Sequence, residues 1–240
     1  MKTIVVTGDS RGLGNNICSK LLESGYKIVG ISRKVSNQAL ELENNFKNQY
    51  IHINFDLSMT DKIKDLYLNQ LKSEGPIYGL VNNAAMAYDD ITTNAQLEPL
   101  EKMFKINVFS VIMLTKYVIR DMLLNDIRGS IVHISSVCAH TGYKGLSMYS
   151  ATKAAIEAFS KTVAREFGSK KIRSNCVAPG FMETEMSNSL TLEQKDRIYL
   201  RTSLKEETQI ESVSNTVKFL LSEESYSITG QVIHVDNGTI

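Results

Sequence analysis

Short apolar runs alternate along the chain with longer segments in which apolar residues recur every three or four positions. The short runs are rich in Val and Ile and are apolar at consecutive positions, which is typical of parallel strands covered on both faces. The predicted strands are Thr3 to Thr7, Lys27 to Ser32, Tyr50 to Asn54, Gly79 to Val81, Ser130 to Ser135, Ile172 to Val177 and Val232 to Val235.

The longer segments have the period of amphipathic helices. Their apolar positions are Leu13, Ile17, Leu21 and Leu22 in the first segment, Ile63, Leu66, Tyr67 and Leu71 in the second, many positions from Leu100 to Leu124 in the third, and Ala154, Ala158, Val163 and Phe167 in the fourth. Alternation of strands and helices predicts right-handed βαβ units, and therefore a doubly wound parallel sheet of seven strands with helices on both faces. Sheets of this kind bind ligands beyond the carboxyl ends of their strands, so the residues after each strand are the candidates for chemistry.

Composition narrows the class of protein further. The 240 residues hold three prolines and no Pro/Gly/Ser-rich linker, which predicts one domain over residues 1–240. Lys and Arg number 27 against 26 Asp and Glu, so the balanced charge argues against a nucleic-acid partner. No stretch approaches the roughly 20 apolar residues that span a bilayer. Three scattered cysteines and four histidines without ligand spacing predict no disulfide frame and no metal site, as expected of a soluble cytoplasmic protein.

The first predicted strand is followed by TGDSRGLG, in which the glycines are Gly8, Gly12 and Gly14. Glycines allow a tight turn and a close approach of the backbone, and the next helix would present its N-terminus to a pyrophosphate. A Gly-rich turn without a ligand is the alternative interpretation. The position between a first strand and an amphipathic helix favours a nucleotide site, and Ser10 and Leu13 belong to the same loop and helix start.

The second predicted strand ends at Ser32 and is followed by Arg33, with no acidic residue where NAD-selective sites place one. Arg33 offers a planar fork for a 2′-phosphate, Ser32 a hydroxyl donor, and Arg11 of the glycine loop a second cation. The alternative is that both arginines are solvated surface residues. The absence of an acid favours NADP(H) as the cofactor.

Two further strand ends carry weaker signals. Asp56 and Leu57 follow the third strand, where the carboxylate would accept a hydrogen bond from adenine or would only cap a helix. Asn83 and Ala84 follow the fourth strand. There a small residue lets a ligand lie against the backbone and an amide can tie neighbouring strands, although an Asn-Asn pair is more often a turn.

The fifth strand is followed by the strongest signal, SSVCAHTGYKGLSMYSATKAA. Tyr149 and Lys153 are four residues apart and share one helix face, so the cation would lower the pKa of the phenol. The Ser136 hydroxyl would hydrogen-bond a substrate oxygen as charge develops on it. Cys138 is expected to pack on the opposite side of an extended segment from Ser136. As a lone pair, Tyr-x-x-x-Lys is common by chance, and its weight comes from its place at the strand ends.

In order and spacing, these motifs resemble the short-chain dehydrogenase/reductase family over essentially the whole chain, from TGDSRGLG to ITGQVIHVDNG. The resemblance implies a Rossmann-type fold of the compact, single-domain branch and an NADP-dependent oxidoreductase. It implies that Tyr149 is the acid/base, that Lys153 holds the nicotinamide ribose and that Ser136 polarises a carbonyl. Asn107 of KINVFS matches a helix asparagine that keeps a water in a proton relay with Lys153.

The resemblance also implies a set of cofactor contacts and an assembly. The predicted cofactor-binding residues are Gly8, Ser10, Arg11, Gly12, Leu13, Gly14, Ser32, Arg33, Asp56, Leu57, Asn83, Ala84, Tyr149, Lys153, Pro179, Gly180 and Thr184. Residues 181–205 would form a substrate lid, or else an ordinary surface helix. In this family the helices matching Leu100 to Leu124 and Tyr149 to Phe167 pack subunits into dimers or tetramers, although these faces would also serve as plain core.

Among subfamilies the motifs look like those of 3-oxoacyl-carrier-protein reductases, which implies a 3-oxoacyl thioester substrate. Asp9 departs from that pattern, and so does the loop with Tyr88, Asp89 and Asp90, which hints at a polar, sugar-like or sugar-nucleotide ketone instead. A cofactor-binding regulator without catalysis is a third hypothesis. The cations Arg128, Lys170 and Lys171 would dock an acidic carrier protein or would simply be solvated.

Overall fold

The computed structural model describes residues 1–183 and 191–240, and a parallel sheet lies at its centre. The strands are β1 (Thr3–Thr7), β2 (Lys27–Ser32), β3 (Tyr50–Asn54), β4 (Ile77–Asn82), β5 (Ser130–Ile134), β6 (Arg173–Pro179) and β7 (Val232–Val235). They lie in the order β3-β2-β1-β4-β5-β6-β7, and each neighbouring pair is parallel. The predicted seven-stranded doubly wound sheet is confirmed, and the chain order of its strands reverses between β1 and β4, where such sheets bind ligands.

Helices cover both faces of the sheet. They are α1 (Gly12–Glu23), α2 (Asn37–Asn45), α3 (Ile63–Leu66), α4 (Leu97–Phe104), α5 (Ser110–Leu124), α6 (Ser147–Phe167), α7 (Leu192–Tyr199) and α8 (Ile210–Leu221). The predicted helix from Leu100 to Leu124 is not one regular helix, because a π-helical turn at Lys105–Phe109 separates α4 from α5. In the described ranges, no helix is long and apolar enough to cross a membrane.

Successive strand residues are buried on opposite faces. On β1, Ile4 and Val6 belong to the apolar cluster that includes α1 and α8, whereas Val5 belongs to the cluster that includes α5. All three side chains are fully buried. Two-sided burial explains why the strands have continuous apolar runs rather than an alternating pattern.

The turn from β1 into α1 depends on glycine. Gly8 and Gly12 have φ values of +73° and +54°, a region that favours glycine. Gly14 is needed for a different reason, because a Cβ there would lie 1.9 Å from the oxygen of Gly8. The loop therefore folds tightly and brings the start of α1 to the sheet edge where β1 ends.

Candidate active site

Tyr149 and Ser136 meet at the carboxyl end of β5. Ser136 follows that strand and caps the 3₁₀ turn Val137–Ala139, where its Oγ accepts a 3.2 Å hydrogen bond from the nitrogen of Cys138. Tyr149 lies in the first turn of α6. Burial raises the pKa of Tyr149, nearby Cys138 and Asp89 act in the same direction, and a hydrogen bond with Ser136 opposes them. The sequence predicted a lowered pKa, but in this structure burial has the larger effect.

Lys153 lies one helical turn beyond Tyr149 and is buried, with 3% of its surface exposed. Its Nζ donates a 2.8 Å hydrogen bond to the main-chain oxygen of Ile134 and lies 5.5 Å from the centroid of the Tyr149 ring. Burial lowers the pKa of Lys153 from 10.5 to about 8. At neutral pH, Lys153 is therefore still protonated in most molecules, and its charge lies next to the phenol.

Asn107 occupies the π-helical turn and is fully buried. Its Nδ2 donates to the oxygen of Met86 at 2.8 Å and to Thr152 Oγ1 at 3.1 Å, and its Oδ1 accepts from the nitrogen of Met86 at 2.9 Å. Both amide hydrogens are thus engaged. The side chain ties the loop after β4 to α6 beside Lys153, and π-helical turns of this kind recur at functional sites.

A second polar cluster lies one turn further along α6, and sequence reasoning missed it. Oε1 of Glu157 accepts a 2.5 Å hydrogen bond from Ser135 Oγ and lies 3.0 Å from Nε2 of His140. Glu157 is buried, and its charge acts to raise the pKa of Lys153. The four-residue spacing from Lys153 to Glu157 was the available signal, although it does not identify the partners.

The polar loop after β4 contributes one residue to the site. Asp90 has local roles, because its Oδ1 accepts from the nitrogen of Ile91 and from Nδ2 of Asn94. Tyr88 accepts a 3.1 Å hydrogen bond from the nitrogen of Gln96. Asp89 is the member of the three whose charge reaches Tyr149.

Cys138 differs from its expected placement. It lies in the 3₁₀ turn Val137–Ala139 rather than in an extended segment, and it is close enough to Tyr149 and Lys153 to interact with both electrostatically. Burial raises the pKa of the Cys138 thiol, so the thiol is neutral at physiological pH. It is therefore a neighbour of the site rather than an activated nucleophile.

The N-terminus of α1 fits a phosphate-bearing cofactor. The residue before it, Arg11, makes no side-chain capping bond, and the first turn holds no acidic residue. A Cβ at Gly12 would meet no atom within 4 Å. In the described ranges, Asn15 Nδ2 and Asn16 Oδ1 are buried without a hydrogen-bond partner. An anionic group would fit this space, because the N–H groups of the helix N-terminus and Asn15 Nδ2 are donors; Asn16 Oδ1 is an acceptor and would need a donor instead.

The other adenosine-side candidates divide into exposed and buried groups. Arg33 is exposed at the end of β2, whereas Ser32 Oγ donates to the oxygen of Lys34 at 3.2 Å. Ser10 receives a hydrogen bond on its carbonyl from the Ser36 hydroxyl at the start of α2. The side chains of Leu13 and Leu57 are buried in the apolar clusters, so they can offer a ligand little beyond their backbone.

Asp56 does not take the helix-cap role that was one of its two interpretations, because the residue before the next helical turn, Thr60–Lys62, is Met59. The Oδ1 of Asp56 accepts a 2.9 Å hydrogen bond from the nitrogen of Ser58. Burial by itself would raise the pKa of Asp56, but the hydrogen bonds from Ser58 and then the charge of Arg33 bring it below its ordinary value. The carboxylate is therefore ionised at neutral pH and close enough to Arg33 to interact with it.

Asn83 and Ala84 connect β4 to β1, as the strand-tying interpretation predicted. Asn83 Nδ2 donates to the oxygen of Thr7 at 2.9 Å, and the nitrogens of Asn83 and Ala84 both donate to Thr7 Oγ1 at 3.0 Å. A Cβ at Gly8 would lie 2.8 Å from Asn83 Nδ2. These contacts hold the glycine loop against the end of β4.

The end of β6 carries the last predicted contacts. Pro179 is the final residue of that strand, and Gly180 packs so tightly that a Cβ would lie 2.5 Å from Thr208 Oγ1. Thr184 lies outside the described residues, as does part of the predicted lid. The described remainder holds α7, in which Tyr199 donates a 2.6 Å hydrogen bond to Glu183 Oε1.

Comparison with known proteins agrees with this arrangement. A family model described as enoyl-(acyl carrier protein) reductase matches residues 8–239. A 3-oxoacyl-(acyl-carrier-protein) reductase of Buchnera aphidicola is 33% identical, over 99% of this chain and 96% of the relative. The L-xylulose reductase of Caenorhabditis elegans is 31% identical, over 99% and 95%. A solved structure described as a short chain dehydrogenase/reductase family protein superposes with a TM-score of 0.88 at 27% identity, over 99% of this chain and 96% of that one.

These matches cover nearly the whole chain, and the superposed structure agrees with the fold. Proteins of this family use a nicotinamide cofactor. The protein therefore belongs to the short-chain dehydrogenase/reductase family and is an oxidoreductase that acts on CH–OH and C=O groups.

Proposed function

We propose that the protein is an NADPH-dependent carbonyl reductase, reversible as an alcohol dehydrogenase, with Tyr149 as its acid/base. The observation that carries the proposal is the pairing of Ser136 with Tyr149 next to the buried cation of Lys153. A hydroxyl pair at the end of a strand can receive one carbonyl oxygen, and the cation can stabilise the charge that remains on the phenol. The retained set of Asn107, Ser136, Tyr149 and Lys153 supports catalysis over a purely regulatory role.

In this mechanism Tyr149 donates a proton to the carbonyl oxygen, and the Ser136 hydroxyl donates a hydrogen bond to the same oxygen. NADPH, when bound, supplies the hydride to the carbonyl carbon. Lys153 stabilises the Tyr149 phenolate until it is reprotonated. Asn107 acts by fixing Met86 and Thr152 around Lys153. Both amide hydrogens of Asn107 are used in these bonds, so the water of the proposed relay would need a different partner.

The cofactor half of the proposal rests on charge. Arg33 is exposed at the end of β2, and residues 33–40, which follow that strand in the sequence, include no acid. Gly12 and the first turn of α1 would hold the pyrophosphate, with Arg11 and Arg33 near the 2′-phosphate. We therefore expect NADPH rather than NADH to be the better reductant.

We propose a 3-oxoacyl thioester as the first substrate candidate, because the Buchnera relative is named for that activity. The cations suggested for carrier docking give no support, since Arg128 precedes β5 and Lys170 and Lys171 precede β6. Residues that precede parallel strands lie at the sheet edge opposite the one that holds Tyr149.

A polar ketone is the second candidate, and a specific observation favours it. The charge of Asp89 reaches Tyr149 from the loop after β4, where an acyl chain would gain nothing from a carboxylate. The L-xylulose reductase relative is named for a sugar substrate.

The test is a substrate panel with the purified protein and NADPH, with acetoacetyl-coenzyme A and L-xylulose as the two probes. A rate near background with acetoacetyl-coenzyme A would remove the thioester candidate, and the same result with L-xylulose and related polar ketones would remove the second. No NADPH oxidation with any carbonyl would refute the reductase itself. In the same proposal the described residues of the predicted lid, 181–183 and 191–205, lie over the substrate. The exposed Phe109 and Ile112 contribute to a homo-oligomer interface.

A further inference from the structure

Asp9 is fully buried although it lies in the glycine loop between β1 and α1. Its neighbours Arg11 and Gly12 are exposed. A Cβ at Gly30 of β2 would lie 1.9 Å from Asp9 Oδ2, so the carboxylate sits directly over that glycine. The side chain therefore points beneath the loop, into the sheet, while the loop backbone faces outward.

Two side chains of β3 converge on one oxygen of this carboxylate. Tyr50 donates a 2.5 Å hydrogen bond to Asp9 Oδ2, and Nδ1 of His52 lies 2.7 Å from the same atom. Asp9 Oδ1 is buried and has no hydrogen-bond partner in the described part of the chain. A buried carboxylate with half of its acceptor capacity unused is costly unless a cation compensates it.

His52 can supply that cation. Its ring is almost buried, and its Nε2 lies 3.1 Å from Oδ1 of Asn54, so both ring nitrogens face oxygen atoms. That arrangement suits an imidazolium, which donates from both nitrogens. Asn54 is paired in register with Ser32, the residue before Arg33, so the cluster extends to the edge proposed for the 2′-phosphate.

We propose that Asp9 and His52 form an ion pair beneath the phosphate-binding loop, and that binding of the phosphate-bearing cofactor is coupled to protonation of His52. With His52 protonated the pair is neutral. With His52 neutral, the pair leaves one negative charge under the loop, which opposes an anionic ligand. The inference rests on the proposed NADP(H) site, and it identifies a determinant of cofactor affinity outside the residues that touch the ligand.

The direction of the pH dependence follows from the surroundings of His52. The hydrogen bond from His52 to Asp9 raises the pKa of His52 above 6.5, against the effect of burial, and Glu43 of α2 adds to the increase. Burial raises the pKa of Tyr50 and of Cys18 on α1, so both stay neutral in this range. Affinity for the phosphate groups is therefore highest below the His52 pKa and falls as pH rises through it.

The test uses adenosine 2′,5′-bisphosphate, which lacks the nicotinamide half and so does not report on Lys153. Calorimetric titrations in two buffers of different ionisation enthalpy, between pH 7 and pH 9, measure both the dissociation constant and the protons taken up. Above about pH 7 the phosphates of the probe are largely dianionic and do not add to the signal. We expect net proton uptake near neutral pH and a loss of affinity on the order of tenfold towards pH 9, the change that corresponds to one unit of pKa.

Two substitutions separate an electrostatic role from a structural one, because they have opposite expected effects. His52→Gln leaves the Asp9 charge uncompensated, so affinity at pH 7 falls to the level that the wild type has at pH 9. Asp9→Asn removes the charge, so affinity stays at the level of wild type at low pH. Both variants lose the pH dependence, whereas the control His234→Gln, at the exposed position of β7, keeps it.

Equal weakening by both substitutions, or pH-independent affinity without proton uptake in the wild type, would overturn the inference. The wild-type titration decides the question even if a variant does not fold. A protein that reduces carbonyls with NADPH but shows no proton uptake refutes only this inference. Failure to bind the bisphosphate or NADPH at any pH refutes the proposed function instead.

Discussion

The Nζ of Lys153 donates a hydrogen bond of 2.8 Å to the oxygen of Ile134, the last residue of β5. Ser136 follows two residues later, so the same strand end fixes both a buried cation and the hydroxyl that pairs with Tyr149. The lysine is held in place by the protein alone, before any ligand contributes. That placement buries a charge, and the first two predictions follow from its cost.

Lys153→Met should stabilise the fold while abolishing turnover. In the folded protein the pKa of Lys153 is about 8, compared with 10.5 for an exposed lysine. The unfolded chain therefore binds the proton more tightly, and the penalty on folding is full below about pH 8 and disappears as the pH approaches 10.5. We expect the variant to gain about 1 to 3 kcal/mol in urea unfolding at pH 7.

The stability of the wild type should also rise between pH 8 and 10, where the unfolded chain still binds the proton that the folded protein has lost. That rise should be missing in Lys153→Met. Lys161→Met, at an exposed position of the same helix, serves as the control and should leave both quantities unchanged. A marked loss of stability in Lys153→Met would show that burial of the charge is not the dominant cost.

Glu157→Gln should move the alkaline limit of activity to lower pH. The charge of Glu157 supports the protonated form of Lys153, so its removal lowers the Lys153 pKa further. The pH profile of kcat/KM for carbonyl reduction measures this limit. Glu166→Gln on an exposed turn of α6 should leave the profile in place, and an unshifted profile in Glu157→Gln would contradict the coupling.

Asn107→Ala should lower both stability and activity. The substitution leaves the nitrogen and oxygen of Met86 without their partners, which costs about 2 to 3 kcal/mol in the free energy of unfolding. Lys105→Ala lies in the same π-helical turn but is exposed, and it should have little effect. Wild-type stability in Asn107→Ala would show that the amide is not what holds the loop after β4.

Arg33→Ala should raise the dissociation constant for NADPH about tenfold or more and leave that for NADH nearly unchanged. The lost interaction is a charge-assisted contact with the 2′-phosphate, worth about 1.5 to 3 kcal/mol. Fluorescence titration of both cofactors measures the ratio. Lys34→Ala, at the next exposed position, is the matched control. Equal loss for both cofactors would remove the specific role of Arg33.

Much of the fold could be predicted because strands that are buried on both faces have continuous apolar runs, which are visible in the sequence. The apolar runs of β1, β2, β3 and β7 begin and end at the predicted residues. β4 begins two residues before its predicted start, since Tyr78 interrupts the β-branched pattern while its hydroxyl reaches the oxygen of Leu221. The rule that sites lie beyond the carboxyl ends of parallel strands then predicted that Ser136, Tyr149 and Lys153 would lie close together.

The remainder depended on contacts between distant positions. His52 and Asp9 are 43 residues apart, and nothing near either one indicates the other. The π-helical turn around Asn107 contains no glycine or proline that would indicate an irregular helix, so the sequence predicted a regular one. The polar loop was recognised, but only the packed structure separates Asp89, whose charge acts on the pKa of Tyr149, from Asp90, which stabilises its own loop.

Tyr149→Phe tests the central claim most directly, because it removes one hydroxyl and keeps the ring. The measurement is the initial rate of NADPH oxidation with the best ketone from the substrate panel, alongside the NADPH dissociation constant. We predict a rate at least about a hundredfold below wild type, as expected for loss of a general acid, with a much smaller change in cofactor affinity. Retention of full activity would contradict the assignment of Tyr149 as the acid/base.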